Sequence, residues 1–205
     1  MFGGGTDTSS ITIEWALAEL LANHDKLDKI QEELMKVVGN NRLVEISDIP
    51  KLPYLSAVVK ETMRLHPVLP LLIPHEAIQS CTVDGYEILQ GTQVFINVWA
   101  IGRAPEIWEN ALNFFPERFL ESNISVQGQH FGFLPFGSGR RICPAWMLGL
   151  LTVELTLANL VHTIDLKASD KPQFTESPEN VIMTLKTPLS LKACPKAPTK
   201  LLINQ

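Results

Sequence analysis

Phe136-Gly137-Ser138-Gly139-Arg140-Arg141-Ile142-Cys143-Pro144-Ala145 is the stretch on which the reading of this chain turns. It lies where a long irregular segment meets the start of an apolar helix. A thiolate needs positive potential to stay ionised, and a helix N-terminus provides it through free backbone N–H groups and the helix dipole. Arg141 adds a positive charge two residues before Cys143, and Gly137 and Gly139 let the backbone turn tightly and approach a bound group closely. Phe136, Gly139, Arg141 and Cys143 form the spacing FxxGxRxC. In a chain of average composition that spacing arises by chance on the order of once in a thousand. Taken alone, a free cysteine also has a plainer reading, a buried structural thiol.

Working outward, Pro144 to Thr163 reads as the last long helix. The run Pro144 to Leu166 is apolar and long enough to cross a bilayer, but it carries Glu154 near its centre and His162 later, which favours a helix buried in a protein core. Before the motif, Gly102 to Ser138 has few periodic signals, and irregular stretches of that length are usually functional. Earlier still, helical spacing predicts helices over Thr8 to Ala22, Asp25 to Val38 and Tyr54 to Leu65, with a two-proline connector from Asp48 to Pro53. Thr82 to Ile88 reads as a hairpin around Asp84-Gly85, and Gln93 to Asn97 as a strand. Asn180 to Leu185 and Leu189 to Lys192 read as short strands. The fold class is mainly α with a small β region.

The 205 residues are 45% hydrophobic and 19% charged, enough to build a core and against disorder. The net charge of −5 with no dominant basic patch argues against nucleic-acid binding. Cys81, Cys143 and Cys194 are far apart and form no CxxC pair, so neither a disulfide scaffold nor a zinc ribbon is suggested, and free thiols fit a reducing compartment. Met1 to Gly5 lacks the basic and apolar parts of a signal peptide.

Three further patterns carry chemistry only in combination. Glu61 and Arg64 lie three apart on one helical face and can be held together; by itself such a pair is normally solvated. Pro116-Glu117-Arg118-Phe119 is equally weak alone. In Gly4-Gly5-Thr6-Asp7-Thr8-Ser9 an acid adjoins a hydroxyl, a pairing that relays protons. Read locally, Asp7 or Thr8 is an ordinary cap of the adjoining helix.

The four patterns, in this order and through nearly the whole chain, resemble the cytochrome P450 family. The resemblance implies that Cys143 is the axial thiolate ligand of a haem b iron, the ligand type that pushes electron density toward O–O cleavage. It implies that Phe136, Gly139 and Arg141 complete the cysteine loop, with Arg141 and His75 on haem propionates. Glu61, Arg64 and Arg118 then form a buried triad behind that loop. Asp7 and Thr8 become the acid–alcohol pair beside the oxygen site, which places Gly4 to Ser9 inside a helix and not at its cap. Lys60 to Pro67 and Asn97 to Leu120 look like plant microsomal members similar to geraniol and flavonoid hydroxylases. By the same resemblance Phe2, Gly3, Leu69, Leu71, Leu72, Val181, Ile182 and Met183 face the substrate.

The function this resemblance implies is that of a haem-thiolate monooxygenase. Such an enzyme inserts one oxygen atom from O2 into a small apolar substrate of terpenoid or phenolic class, using NADPH electrons from a cytochrome P450 reductase. The family setting is the cytoplasmic face of the endoplasmic reticulum membrane. Ala145 stands where glycine is usual, with alanine a tolerated variant there; Ala104 and Ala111 stand where similar plant sequences usually have Asp and Pro, and neither of those two positions carries chemistry. The family fold needs more than twice this length. Residues 1–205 therefore read as a partial domain, from the end of the oxygen-site helix to the C-terminus, and as a fragment, a truncated product or a gene model begun at an internal methionine. The alternative function is a truncated, non-catalytic haem-binding remnant.

Overall fold

The computed structural model describes residues 2–168 and 191–195, with side chains over 4–164. The described helices are α1 (Phe2–Ala22), α2 (His24–Val37), α3 (Pro53–Leu65), the short α4 (Val98–Ile101) and α5 (Trp146–Thr163). Three antiparallel pairs stand beside them: β1 (His75–Glu76) with β4 (Gln93–Val94), β2 (Cys81–Val83) with β3 (Tyr86–Ile88), and β5 (Ile164–Ala168) with β6 (Leu191–Pro195). The expected mainly helical class with a small β region holds.

In α1 every residue from Trp15 to Leu21 is buried, the mark of a helix enclosed on all sides. It packs on α2, α3 and α5, and α3 packs on α5. α2 is amphipathic, burying Leu27, Ile30 and Leu34, and stops near Gly39, whose φ of 76° suits a residue without a Cβ. α3 opens on Pro53, and its first free amides find a carboxylate from a different helix. Tyr54 N and Leu55 N donate to the two oxygens of Glu33 at 2.8 and 2.9 Å. Burial pushes the Glu33 carboxyl above its ordinary value despite those two bonds.

Four outcomes differ from local sequence reading. α1 begins at Phe2, not Thr8, because its hydroxyls turn back on their own helix. Thr8 Oγ1 donates to Gly4 O at 2.8 Å, Ser9 Oγ to Gly5 O at 3.1 Å and Thr12 Oγ1 to Thr8 O at 2.9 Å. Neither Asp7 nor Thr8 is a cap, and the mid-helix position implied by the family resemblance is the observed one. The strand expected over Gln93 to Asn97 stops at Val94, since the Asn97 side chain instead accepts from Ala100 N at 3.0 Å and caps α4. The last long helix ends at Thr163 as expected, but the chain goes straight on at Ile164 into the strand β5, which was not expected. Of the strands expected near the C-terminus, Leu191 and Lys192 lie in β6; Asn180 to Leu185 lies outside the described residues.

Within α5, Glu154 is buried near Lys60 of α3 and hydrogen-bonds Ser56. Burial raises the Glu154 carboxyl and lowers the Lys60 ammonium relative to their ordinary values. No described helix is long and apolar enough to cross a membrane. α5 is further pinned by Asn159, which accepts from Val44 N at 3.0 Å and donates to Val44 O at 3.1 Å.

The polar centre of the fold is Glu61, with both it and Arg64 fully buried. Arg64 Nε and Nη2 each donate to it at 2.8 Å, Arg118 Nε at 3.2 Å and Phe115 N at 2.8 Å. Two guanidiniums against one carboxylate leave excess positive charge, which backbone carbonyls absorb. Arg64 donates to Gly102 O, to Ala111 O at 2.7 Å and to Asn113 O at 3.2 Å, while Arg118 donates to Glu109 O at 2.8 Å. The Trp108 ring lies 5.3 Å from the Arg64 guanidinium and 5.8 Å from that of Arg118. The cluster thereby holds the irregular chain from residue 102 to 118, which makes few ladder bonds of its own.

Removing one partner of a buried pair leaves an uncompensated charge. Glu61→Gln is expected to destabilise the fold by about 3–5 kcal/mol in urea unfolding; a loss below about 0.5 kcal/mol, within the range of surface changes, contradicts the assignment. A second test is acid stability. Asp48 accepts from Arg42 Nη1 at 2.5 Å, Arg42 Nη2 at 2.9 Å and Glu45 N at 3.0 Å. Its carboxyl is held at about 2, below the ordinary 3.8, chiefly by the Arg42 bonds. The unfolded chain therefore takes up this proton first, so the contribution is full above the ordinary value and lost as pH falls toward about 2. Melting temperature against pH should flatten in that interval on Asp48→Asn, and an unchanged slope contradicts the role.

Candidate active site

The site is assembled by two helix ends and the loop between residues 134 and 145. The loop folds on itself: Gly137 N donates to Leu134 O at 3.1 Å, and Cys143 N donates to Phe136 O at 2.9 Å. A short 3-10 turn, Gly139–Arg141, fills the bend, and Ile142 N bonds Gly139 O at 3.2 Å. Gly137 and Gly139 have φ of 77° and 64°, so both glycines of the motif sit where a Cβ is strained. Cys143 O receives Trp146 N at 3.4 Å, which ties the cysteine to the first turn of α5. The helix begins at Trp146, two residues later than Pro144, because Pro144 and Ala145 belong to the turn.

Cys143 is half-buried and free. Phe136, also half-buried, packs its ring along the first turn of α5 beside Gly149. Arg141 is exposed, and none of the described residues hydrogen-bonds its guanidinium. His75 sits in β1 opposite Val94, and its Nδ1 is buried with no hydrogen-bond partner among the described residues. Such orphaned buried groups call for a partner.

On α1, Thr8 is half-buried and Asp7 exposed. Gly4 and Gly5 have open space where a Cβ would stand. α1 packs along α5, which joins this helix to the one that begins after the cysteine. The segment after α3 contributes Leu69, Leu71 and Leu72, all half-buried; Leu72 N donates to Leu69 O at 3.0 Å, and Leu72 takes a φ of 54°. That left-handed backbone is strained for a leucine and fixes a tight turn. Side chains of Phe2 and Gly3 and the whole of Val181, Ile182 and Met183 lie outside the described residues.

These features fit a haem. Among the described residues no three of His, Cys, Asp or Glu gather into a ligand set. Cys143 is a single soft donor, which suits an iron already held by four porphyrin nitrogens. The orphaned His75 Nδ1 and the free Arg141 guanidinium match anionic propionates in kind. Glu61, Arg64 and Arg118 are buried together as the family resemblance implies, not solvated as the isolated ExxR pattern suggests. Sequence reading missed the contacts of Phe115 N and of the Gly102 and Ala111 carbonyls. They are backbone groups, and no side-chain pattern announces them. The departure at Ala111 is harmless for the same reason.

Comparison with known proteins agrees with this geometry. The family description Cytochrome P450 matches residues 1–194. Iridoid oxidase from Catharanthus roseus is 50% identical over 198 residues, 96% of this chain and 38% of that protein. Geraniol 8-hydroxylase from the same plant is 46% identical over 197 residues, 95% of this chain and 40% of its own. A zebrafish cytochrome P450 structure with progesterone superposes with a TM-score of 0.83 at 34% identity, covering 95% of this chain and 44% of that one. The chain thus spans about 40% of the length of these curated relatives. The expected likeness to plant members holds, as does the expected partial P450 architecture. On its loop, its buried triad and these matches, the chain belongs to the cytochrome P450 family.

Proposed function

We propose that these residues are the haem-holding part of a monooxygenase that inserts one oxygen atom from O2 into a small apolar substrate of terpenoid or phenolic class. The observation that carries this reading is a half-buried Cys143 in a self-closed loop at the head of α5, in a chain about half identical to plant proteins named as an oxidase and a hydroxylase. Haem iron bound at Cys143 supplies the oxygen-activating redox chemistry. The second oxygen atom leaves as water, taking two electrons and two protons. The electrons come from NADPH through a cytochrome P450 reductase at the cytoplasmic face of the endoplasmic reticulum.

The residues of this chain divide the remaining work. Cys143 binds the iron, while Arg141 and His75 hold the propionates, and Phe136 and Gly139 shape the loop. Thr8 and Asp7 move protons. Thr8 Oγ1 donates to Gly4 O at 2.8 Å and keeps its lone pairs as acceptors, and the adjoining Asp7 carboxylate is exposed. Leu69, Leu71 and Leu72 face the substrate, the role that the family resemblance also assigns to Phe2, Gly3, Val181, Ile182 and Met183.

For the 205 residues by themselves, non-catalytic haem binding is the second reading. Large apolar side chains favour it, including Phe131 at 74% exposure and Leu148 at 67%.

The test is a chimera in which residues 1–205 replace the matching part of geraniol 8-hydroxylase, assayed on geraniol with 18O2, reductase and NADPH. One labelled oxygen atom should appear in the product. Thr8→Ala should lower product per NADPH on the order of 10²-fold while NADPH oxidation continues as peroxide or water formation. Label derived from solvent water contradicts the reaction class, and unchanged coupling contradicts the role of Thr8.

A further inference from the structure

We propose that Gly128 is a positioning residue for the cysteine loop: it is the buttress that fixes residues 137 and 138, and through them Cys143. The proposal rests on the haem-thiolate reading of Cys143. Gly128 lies outside the FxxGxRxC pattern, in the irregular stretch before it. It is buried and takes a φ of 71°. A Cβ there would lie 2.5 Å from Gly137 O, 2.8 Å from Ser138 Cα and 3.1 Å from Ser138 Cβ. Two of those atoms are backbone, so no side-chain rotation relieves the clash. The loop's own glycines are less confined: a Cβ on Gly137 would meet only Arg141 O at 3.9 Å, and one on Gly139 would meet nothing. Both take left-handed backbone angles that glycine adopts without strain. Gly128 is confined both by its angle and by its contact with the loop.

A hydrogen bond closes the same contact from the other side. Ser138 Oγ donates to Gly128 O at 2.6 Å. The atoms held this way adjoin Phe136, whose carbonyl receives Cys143 N at 2.9 Å. Pushing residues 137 and 138 outward therefore strains the backbone bond that ties Cys143 to Phe136 within the loop. The buttress is itself anchored, between the buried Val126 and the buried Phe133, which packs against Phe119 with ring centroids 5.1 Å apart. Phe119 adjoins Arg118, so the segment links the buried triad to the cysteine loop.

The test monitors the thiolate-type carbon monoxide difference band of the reduced chimera holoenzyme, with circular dichroism tracking the folded fraction. Gly91→Ala is the control for strain alone, since Gly91 has a φ of 82° and open space where the Cβ would stand. Gly128→Ala should convert the thiolate band to a neutral-thiol type about tenfold faster than the parent at equal folded fraction. Gly91→Ala should leave that rate unchanged. Ser138→Ala removes the bond without adding bulk, and should speed conversion about threefold; it decides the matter if Gly128→Ala does not fold. Conversion at the parental rate in Ser138→Ala, or equal rates in the two glycine variants, overturns the proposal. Cys143→Ser separates the two readings: a thiolate band that survives in it overturns the assignment of Cys143 and the buttress together, whereas its loss there leaves the outcome to the other variants.

Discussion

A single fully buried carboxylate, Glu61, held between two guanidiniums, is the constraint on which the rest of this structure depends. Burying three charges is costly, and an apolar cluster of the same volume is often at least as stable. What the charged arrangement provides is reach. Hydrophobic contacts are non-directional, whereas Arg64 and Arg118 send donors to carbonyls at residues 102, 109, 111 and 113. That stretch is almost without regular structure, yet these bonds tie it to α3.

The site inherits this order step by step. α3 fixes the irregular segment through Glu61 and Arg64; Trp108, Phe119 and Phe133 pack in a chain of ring contacts along it; and the segment from Val126 to Phe133 leads into the cysteine loop. On the opposite side α5 runs from the cysteine loop back onto α1, carrying Thr8 and Asp7. Each group given a role in the proposed oxygen chemistry thus stands on an element packed into the core. Pre-organisation of this kind lets donors and acids act without rearrangement when charge develops.

Much of this was legible in the sequence, for definite reasons. α2 and α3 announce themselves by apolar spacing, and the hairpin by Asp84-Gly85, whose φ values of 49° and 82° are what a tight two-residue turn demands. The cysteine loop was legible because it concentrates unusual residue types at fixed spacing. The start of α1 was not legible locally: glycines and hydroxyls argue for a cap, whereas the hydroxyls of Thr8 and Ser9 turn back to carbonyls four residues earlier in a helix already under way. The early end of the strand at Val94 reflects competition from an Asn side chain. β5 stayed hidden because its first residues continue an apolar helical run. The backbone partners of Arg64 and the confinement of Gly128 have no sequence signal, since both depend on where main-chain atoms from distant segments meet.

The proposed bond between Cys143 and haem iron is the central claim. X-ray absorption at the iron edge of the ferric holoprotein, compared with Cys143→Ser and with Cys81→Ser, an exposed cysteine of β2, reads that bond without reliance on turnover. The account predicts one sulfur scatterer in the first coordination shell, lost in Cys143→Ser and retained in Cys81→Ser. A shell of nitrogen and oxygen alone, or a sulfur that persists without Cys143, would contradict it.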